Sequence, residues 1–210
     1  MLDFGIAGKK AVVCASSKGL GFGCADALAA TGVNLVMCAR TAETLASAAQ
    51  SIRDRHGVRV DEVAGDITTE EGRAAVLDAA GHVDILVNNV GQSERIVPES
   101  VDNTVWQQQM DLNFNSVMMA CRASLPQMIE QGGGVIVNIS SIAGIRYLGK
   151  PQIAYSAAKA ALQQYTKTSA VIHAPNNIRM NCVLPGLMHT AMVERMAEKY
   201  ADGDYQGFVQ

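Results

Sequence analysis

Tyr155-Ser-Ala-Ala-Lys159 sets a phenol and an ammonium four residues apart. The surrounding stretch 154–162 is rich in helix formers and holds neither Gly nor Pro, which predicts a helix. Residues four apart share a helix face, with Cβ atoms about 5–6 Å apart. Tyr155 and Lys159 can then address one point in space. A fixed positive charge favours phenolate over phenol and lowers the tyrosine pKa. At about 4 Å and an effective dielectric of about 20, that charge is worth at most roughly 4 kcal/mol, or about three pKa units. A tyrosine brought toward neutrality is a general acid or base near pH 7. Alone, the same spacing describes an ordinary helix with a surface lysine and a half-buried tyrosine. The rest of the chain decides between the two.

The chain has 210 residues, 49% of them hydrophobic and 18% charged, enough for one domain with a large core. Its net charge of -3, with no basic stripe, argues against nucleic acid or a membrane surface as partner. Five cysteines, at positions 14, 24, 38, 121 and 182, show no C-x-x-C and no metal-ligand spacing. No metal site is read, and reduced core thiols in a cytoplasmic protein are expected. No apolar stretch reaches transmembrane length, and the run at 11–15 is too short for a signal peptide.

Residues 10–15 read as a buried strand. Ser16-Ser-Lys-Gly-Leu-Gly-Phe-Gly23 follows, then a helical stretch at 24–31 closed by Gly32. Strand, glycine loop and helix form the setting of a phosphate-binding turn, because backbone N–H groups at a helix N-terminus hold pyrophosphate. A second strand is expected at 33–38. The common dinucleotide fold places an acid near its end to hold the adenosine ribose. Here the chain reads Ala39-Arg40-Thr41. Arg40 suits a 2′-phosphate instead, because guanidinium pairs with phosphate in a bidentate way. Lys18 adds a second positive charge, so NADP(H) is expected rather than NAD(H).

Thr41 can cap a helix running to 56, before Gly57. A third strand is expected at 58–63, followed by Asp66-Ile67, and Thr68-Thr-Glu-Glu71 reads as a capping box. A fourth strand at 83–87 runs into Asn88-Asn-Val-Gly91, two amides and a glycine where open α/β sheets bind ligands. A long helix is expected over 102–131, with Asn113 among apolar neighbours and therefore in need of a partner. A fifth strand at 135–139 leads to Ser140-Ser141, and a sixth at 178–183 leads to Leu184-Pro-Gly-Leu-Met-His-Thr190. Alternating strands and helices predict a parallel sheet with helices on both faces.

In this order the glycine loop, Asn88-Asn-Val-Gly91, Asn113, Ser141, Tyr155-x-x-x-Lys159 and Pro185-Gly186 through Thr190 resemble the short-chain dehydrogenase/reductase family, over about residues 8–190. Closest in character are members resembling bacterial 3-oxoacyl-acyl-carrier-protein reductase. The resemblance implies an α/β, three-layer Rossmann fold and a ketone/secondary-alcohol oxidoreductase. It implies Tyr155 as acid/base and Lys159 as the group that lowers its pKa and binds the nicotinamide ribose. Ser141, rather than Ser140, would bond the substrate oxygen, and Asn113 would hold a proton-relay water. Implied cofactor contacts are Ser17, Lys18, Gly19, Leu20 and Gly21 in the loop, then Arg40, Asp66 and Ile67. Asn89, Val90 and Gly91 would line the adenosine side, and Pro185, Gly186, Met188 and Thr190 the nicotinamide side. His189 is the competing base, set aside because Tyr155 and Ser141 fill the needed roles.

The sequence departs from the family in two places. Ala15 stands where the first loop glycine is usual, so a slightly altered turn is expected. Family members also continue through a last helix, a seventh strand and a glycine-rich end, and the seventh strand is expected to be absent from this chain. Residues 1–190 read as a single Rossmann dinucleotide-binding and catalytic domain, and 191–210 as a lid helix with an incomplete C-terminal segment. In the lid, Met192, Val193, Met196 and Tyr200 fall on one side at helical spacing, and the chain beyond 200 is expected to be poorly ordered. A homodimer or homotetramer is expected through the helices of Asn113 and Tyr155, using Val117, Met118, Cys121, Ala161 and Tyr165. One alternative is a truncated, catalytically impaired nucleotide-binding protein of the same fold. Another is a nucleotide-sugar epimerase, against which the chain length argues.

Overall fold

Lys10-Ala-Val-Val-Cys14 is apolar after its first residue, so it offers no face to water and belongs inside a sheet covered on both sides. The computed structural model describes residues 3–188, 191–200 and 202–209. In it these residues form strand β1 (Lys10–Cys14), flanked on both sides by other strands. Val12 and Cys14 enter the core on one face of the sheet, and Ala11 and Val13 enter the core on the other.

The chain continues through α1 (Gly19–Ala29), β2 (Asn34–Ala39), α2 (Ala42–His56), β3 (Val60–Ala64), α3 (Glu70–Ala80) and β4 (Ile85–Asn88). Then come α4 (Asn103–Met110), α5 (Ser116–Glu130), β5 (Gly134–Ile139), α6 (Ile153–His173), β6 (Ile178–Val183), α7 (Ala191–Tyr200) and α8 (Tyr205–Val209). All strand pairs are parallel, in the order β3-β2-β1-β4-β5-β6. Helices α1 and α2 cover one face, and α3, α5 and α6 the other. This is the expected three-layer Rossmann arrangement, with six strands among the described residues. The strand order reverses between β1 and β4, and the crevice beyond their C-terminal ends is where such sheets take ligands.

Several expectations are corrected in detail. α1 begins at Gly19, inside the glycine loop. The cap of α3 is Thr69, whose hydroxyl accepts from the Gly72 N–H, not Thr68. The long helix is interrupted by a π-turn, Asp111–Asn115, between α4 and α5. Val117 and Cys121 do not face outward, being 1% and 0% exposed in the chain's own core. Tyr165 is half-buried and packs edge-on against Phe114, with centroids 6.0 Å apart. Past α7, a turn at Asp202-Gly203 leads into α8 where only a broken end was expected. In α7 the side chains of Val193 and Ala197 are buried, while those of Met192, Met196 and Tyr200 lie outside the described residues.

Candidate active site

At the end of β1 the backbone turns sharply. Ala15 has φ +53° and Gly19 φ +60°. The first is a left-handed conformation that costs an L-residue roughly 1–2 kcal/mol. Ser16 points inward, fully buried, and its N–H donates to the Cys38 carbonyl at 3.0 Å. Gly21 is required by close approach: a Cβ there would collide with the Ala15 carbonyl and sit 2.6 Å from Asn89 Nδ2. Asn89 Nδ2 in turn donates to the Ala15 carbonyl at 3.3 Å. Asn89 therefore braces the glycine loop from β4. Lys18 occupies the N-cap of α1 with no side-chain hydrogen bond to the helix, and nothing lies within 4 Å of where a Gly19 Cβ would stand. The first amides of α1 are left for an anion.

Arg40 is exposed just past β2, near enough to Asp66 to help hold that carboxyl below its usual range. The larger cause is Thr68, whose hydroxyl and N–H donate to Asp66 Oδ1 at 2.7 and 2.9 Å. Ile67 is buried in the core and Val90 packs against it, so neither projects its whole side chain toward a ligand.

Helix α6 carries Tyr155 and Lys159 on one face, as the spacing requires. Lys159 is 3% exposed. Its Nζ donates to the Ile139 carbonyl at 2.9 Å and lies 5.7 Å from the Tyr155 ring centroid. A Cβ on Gly91 would come within 2.9 Å of both Lys159 Nζ and Asn113 Oδ1. The structure thus brings Gly91, Asn113 and Lys159 together at the ends of β4 and β5. Asn113 sits in the π-turn and has its expected partners. Its Oδ1 accepts from the Gln92 N–H at 3.0 Å, and its Nδ2 donates to the Gln92 and Gln109 carbonyls, both at 3.0 Å. Asn88 does not face a ligand. It lies inside β4, opposite Asn138 in register, and donates to Asn138 Oδ1 at 2.9 Å.

Ser140 is buried, and its hydroxyl donates to the Lys159 carbonyl at 2.8 Å. Ser141 is only half-buried. Its Oγ accepts from the Ala143 N–H at 3.1 Å, and its hydroxyl proton remains for another partner. The segment after β6 passes the same point, because the Pro185 carbonyl accepts from the Ile142 N–H at 3.1 Å and Gly186 faces Ile142. Met188 is exposed. His189 and Thr190 lie outside the described residues.

The electrostatics differ from the expectation. Burial pushes the Tyr155 phenol above its ordinary pKa, and hydrogen bonding with Ser141 opposes that rise. The Lys159 ammonium donates to the Ile139 carbonyl and lies beside the Tyr155 ring, and burial of the phenol is the dominant influence on its titration. Burial lowers Lys159 itself to about 8, with Cys182 acting in the other direction. At pH 7 the site therefore holds a neutral phenol that can donate a proton, beside an ammonium close to its own titration. Spacing alone did not single out Gln92, Gln109 or Gln163 among its polar neighbours. Gln163 was within reach of such reasoning, since it lies four residues after Lys159 on the same helix face.

A family model described as short chain dehydrogenase matches residues 9–201. The chain is 33% identical over 195 residues to a 3-oxoacyl-acyl-carrier-protein reductase of Chlamydia muridarum, covering 90% of this chain and 78% of that protein. It is 34% identical over 206 residues to gluconate 5-dehydrogenase of Gluconobacter oxydans, covering 95% and 79%. Among solved structures it is similar to L-sorbose reductase of Gluconobacter frateurii, complexed with NADPH and L-sorbose. That match has TM-score 0.92 and 36% identity, and covers 99% of this chain and 81% of that one.

The buried ammonium has a consequence for stability. Lys159 titrates near 8 when folded, against 10.5 ordinarily. Between those values the unfolded chain binds more protons, so stability rises with pH across that window. At about 1.4 kcal/mol per unit the rise is roughly 3 kcal/mol. Lys159→Met abolishes this term. Denaturant unfolding of both proteins should show wild type gaining roughly 3 kcal/mol relative to the variant between about pH 7.5 and 10.5. A difference independent of pH would show that the ammonium is not desolvated.

Proposed function

The chain belongs to the short-chain dehydrogenase/reductase family, oxidoreductases acting on alcohol and ketone groups, and from that premise we propose that it interconverts a ketone and a secondary alcohol with NADP(H). The observation that carries the reading is the meeting of Ser141, Tyr155 and Lys159 at the C-terminal ends of β5 and β4, with Gly91 pressed against the ammonium.

NADP(H), when bound, supplies or accepts the hydride. The chain's own residues suit its phosphates. The uncapped start of α1, with Ser17, Lys18, Gly19, Leu20 and Gly21, offers amides and one cation to the pyrophosphate. Exposed Arg40 offers a bidentate site to the 2′-phosphate. Asp66, Ile67, Asn89 and Val90 would border the adenosine side, and Pro185, Gly186 and Met188, with Thr190 beyond the described residues, would meet the nicotinamide side.

In the reduction direction Ser141 orients the ketone oxygen by hydrogen bonding. Tyr155, kept protonated by burial, gives its proton to that oxygen as negative charge develops on it. The Lys159 ammonium then stabilises the phenolate electrostatically. Asn113 holds the Gln92 loop in place and supports a water in the proton path. Gluconate, sorbose and 3-oxoacyl chains belong to the named relatives, and for this chain the substrate class is a small carbonyl or alcohol compound. A homodimer or homotetramer in the cytoplasm, with residues 191–210 as a lid segment over the nicotinamide side, completes the proposal.

Tyr155→Phe removes the transferable proton. Ketone reduction should fall by about 10²–10⁴-fold while NADPH affinity stays nearly unchanged. Substantial turnover by the folded variant would sink the assignment. Arg40→Asp replaces the phosphate-reading cation by an acid, and the NADPH-over-NADH preference in kcat/KM should drop by at least about tenfold. An unmoved preference would remove Arg40 from cofactor choice. Limited proteolysis with and without NADPH addresses the lid. Protection of 190–200 by the cofactor supports it, and equal cleavage in both states rules it out.

A further inference from the structure

Gln163 is nearly buried, at 7% exposure, and sits in α6 one turn beyond Lys159 and two beyond Tyr155. Its side-chain amide has two N–H donors. Nε2 donates to Ser140 Oγ at 3.2 Å and to the Ser141 carbonyl at 3.3 Å. Ser140 Oγ passes the chain on, donating to the Lys159 carbonyl at 2.8 Å. The two acceptors of Gln163 therefore flank the peptide that joins Ser140 to Ser141. The turn after Ser141 is pressed onto the same helix. A Cβ on Gly144 would collide with Gln163 Nε2 and stand 2.8 Å from the Ala160 amide nitrogen and 2.9 Å from the Lys159 carbonyl carbon. The Ser141 carbonyl also accepts from the Gly144 N–H at 3.1 Å.

We infer that Gln163 is a positioning residue: it pins the Ser140–Ser141 peptide to α6 and so fixes the Ser141 hydroxyl relative to the Tyr155 phenol carried by the same helix. The inference rests on the proposed roles of Ser141 and Tyr155. Helix α6 thereby sets both members of the pair. It carries Tyr155 directly, and it holds Ser141 at a distance through the amide of Gln163. A buried donor here is consequential, since losing it leaves both Ser140 Oγ and the Ser141 carbonyl with one partner fewer and loosens the segment's hold on α6. A displacement of about 1 Å at a reacting group can cost about 10²-fold in rate.

The test is Gln163→Met, which keeps the side chain's length and removes both donors. Reduction of 2,3-butanedione should lose about 10–100-fold in kcat, with KM little changed and NADPH affinity within about twofold of wild type. A second measurement needs no turnover. Tyrosinate absorbance is titrated in wild type and in Gln163→Met, each against the same protein carrying Tyr155→Phe, so that the difference reports Tyr155 alone. The Tyr155 titration should move up by about half a unit or more in Gln163→Met, because the Ser141 hydrogen bond that opposes its rise is weakened. A purely structural loss would lower melting temperature and leave this titration in place. Where Gln163→Met does not fold, Gln163→Asn, one methylene short, serves with the same expected directions and smaller size. An unshifted titration with wild-type kcat in a folded variant overturns the inference. Loss of the butanedione reaction in wild type itself would count against the proposed function instead, and the titration would still read Gln163.

Discussion

The burial of one ammonium constrains everything around the reaction centre. A charge taken out of water is costly unless an oxygen faces it, and for Lys159 that oxygen is the carbonyl of Ile139, the last residue of β5. The end of β5 must therefore abut α6 closely, and side chains that would hold the two apart are excluded. Gly91 and Gly144 both stand close against the Lys159 region of α6. A Cβ on the first would press on Nζ, and one on the second would press on the α6 backbone. Two loop glycines that look unrelated in sequence thus answer to the same lysine.

Beneath that layer a polar seam fixes the register that brings Ile139 to the right place. Asn88 and Asn138 lie opposite each other in β4 and β5, and Asn138 Nδ2 donates to Thr166 Oγ1 of α6 at 2.9 Å. Buried amides are stable only when their partners are met. A slip of one residue between these strands would turn the amides toward opposite faces and leave them unpaired. The seam gives the sheet and α6 a single satisfactory alignment, and Lys159 inherits it.

β1, β2, β4 and β5 were legible in the sequence as short, largely apolar runs ending in a turn, while the edge strands β3 and β6 mix charged or polar residues among apolar ones, and α6 was legible because nothing in it breaks a helix. The misplaced features turned on details that periodicity and spacing do not carry: which of two hydroxyls is engaged, which face a helix buries and where a long side chain ends. Thr68 and Thr69 offer the same hydroxyl to α3, and Asp66 decides between them by engaging Thr68. Val117 and Cys121 follow Asn113 at four-residue spacing, so they share its buried face and pack into the chain's own core rather than outward. The site residues Tyr155 and Lys159 were found by spacing, which fixes Cβ positions. Spacing did not tell that Nζ would turn to a carbonyl of β5 and leave the phenol pKa raised by burial.

That outcome suits the proposed chemistry better than a permanently ionised tyrosine would. Ketone reduction needs a proton on Tyr155 at the start, and burial, by raising the phenol's pKa, extends that condition to higher pH. Once the proton has gone, a phenolate in the same dry place would be unfavourable on its own. The nearby Lys159 charge then gains value in the low-dielectric site, where Coulomb interactions are strong. The proton must also be replaced before the next turnover. An ordinary lysine holds its proton too tightly to help, while one brought to about 8 by desolvation gives it up far more readily. Alcohol oxidation runs the same steps backwards and needs the phenolate first, so it is favoured as pH rises. In the proposed chemistry the desolvation that destabilises the fold around Lys159 is thus the same physical term that readies its proton for exchange.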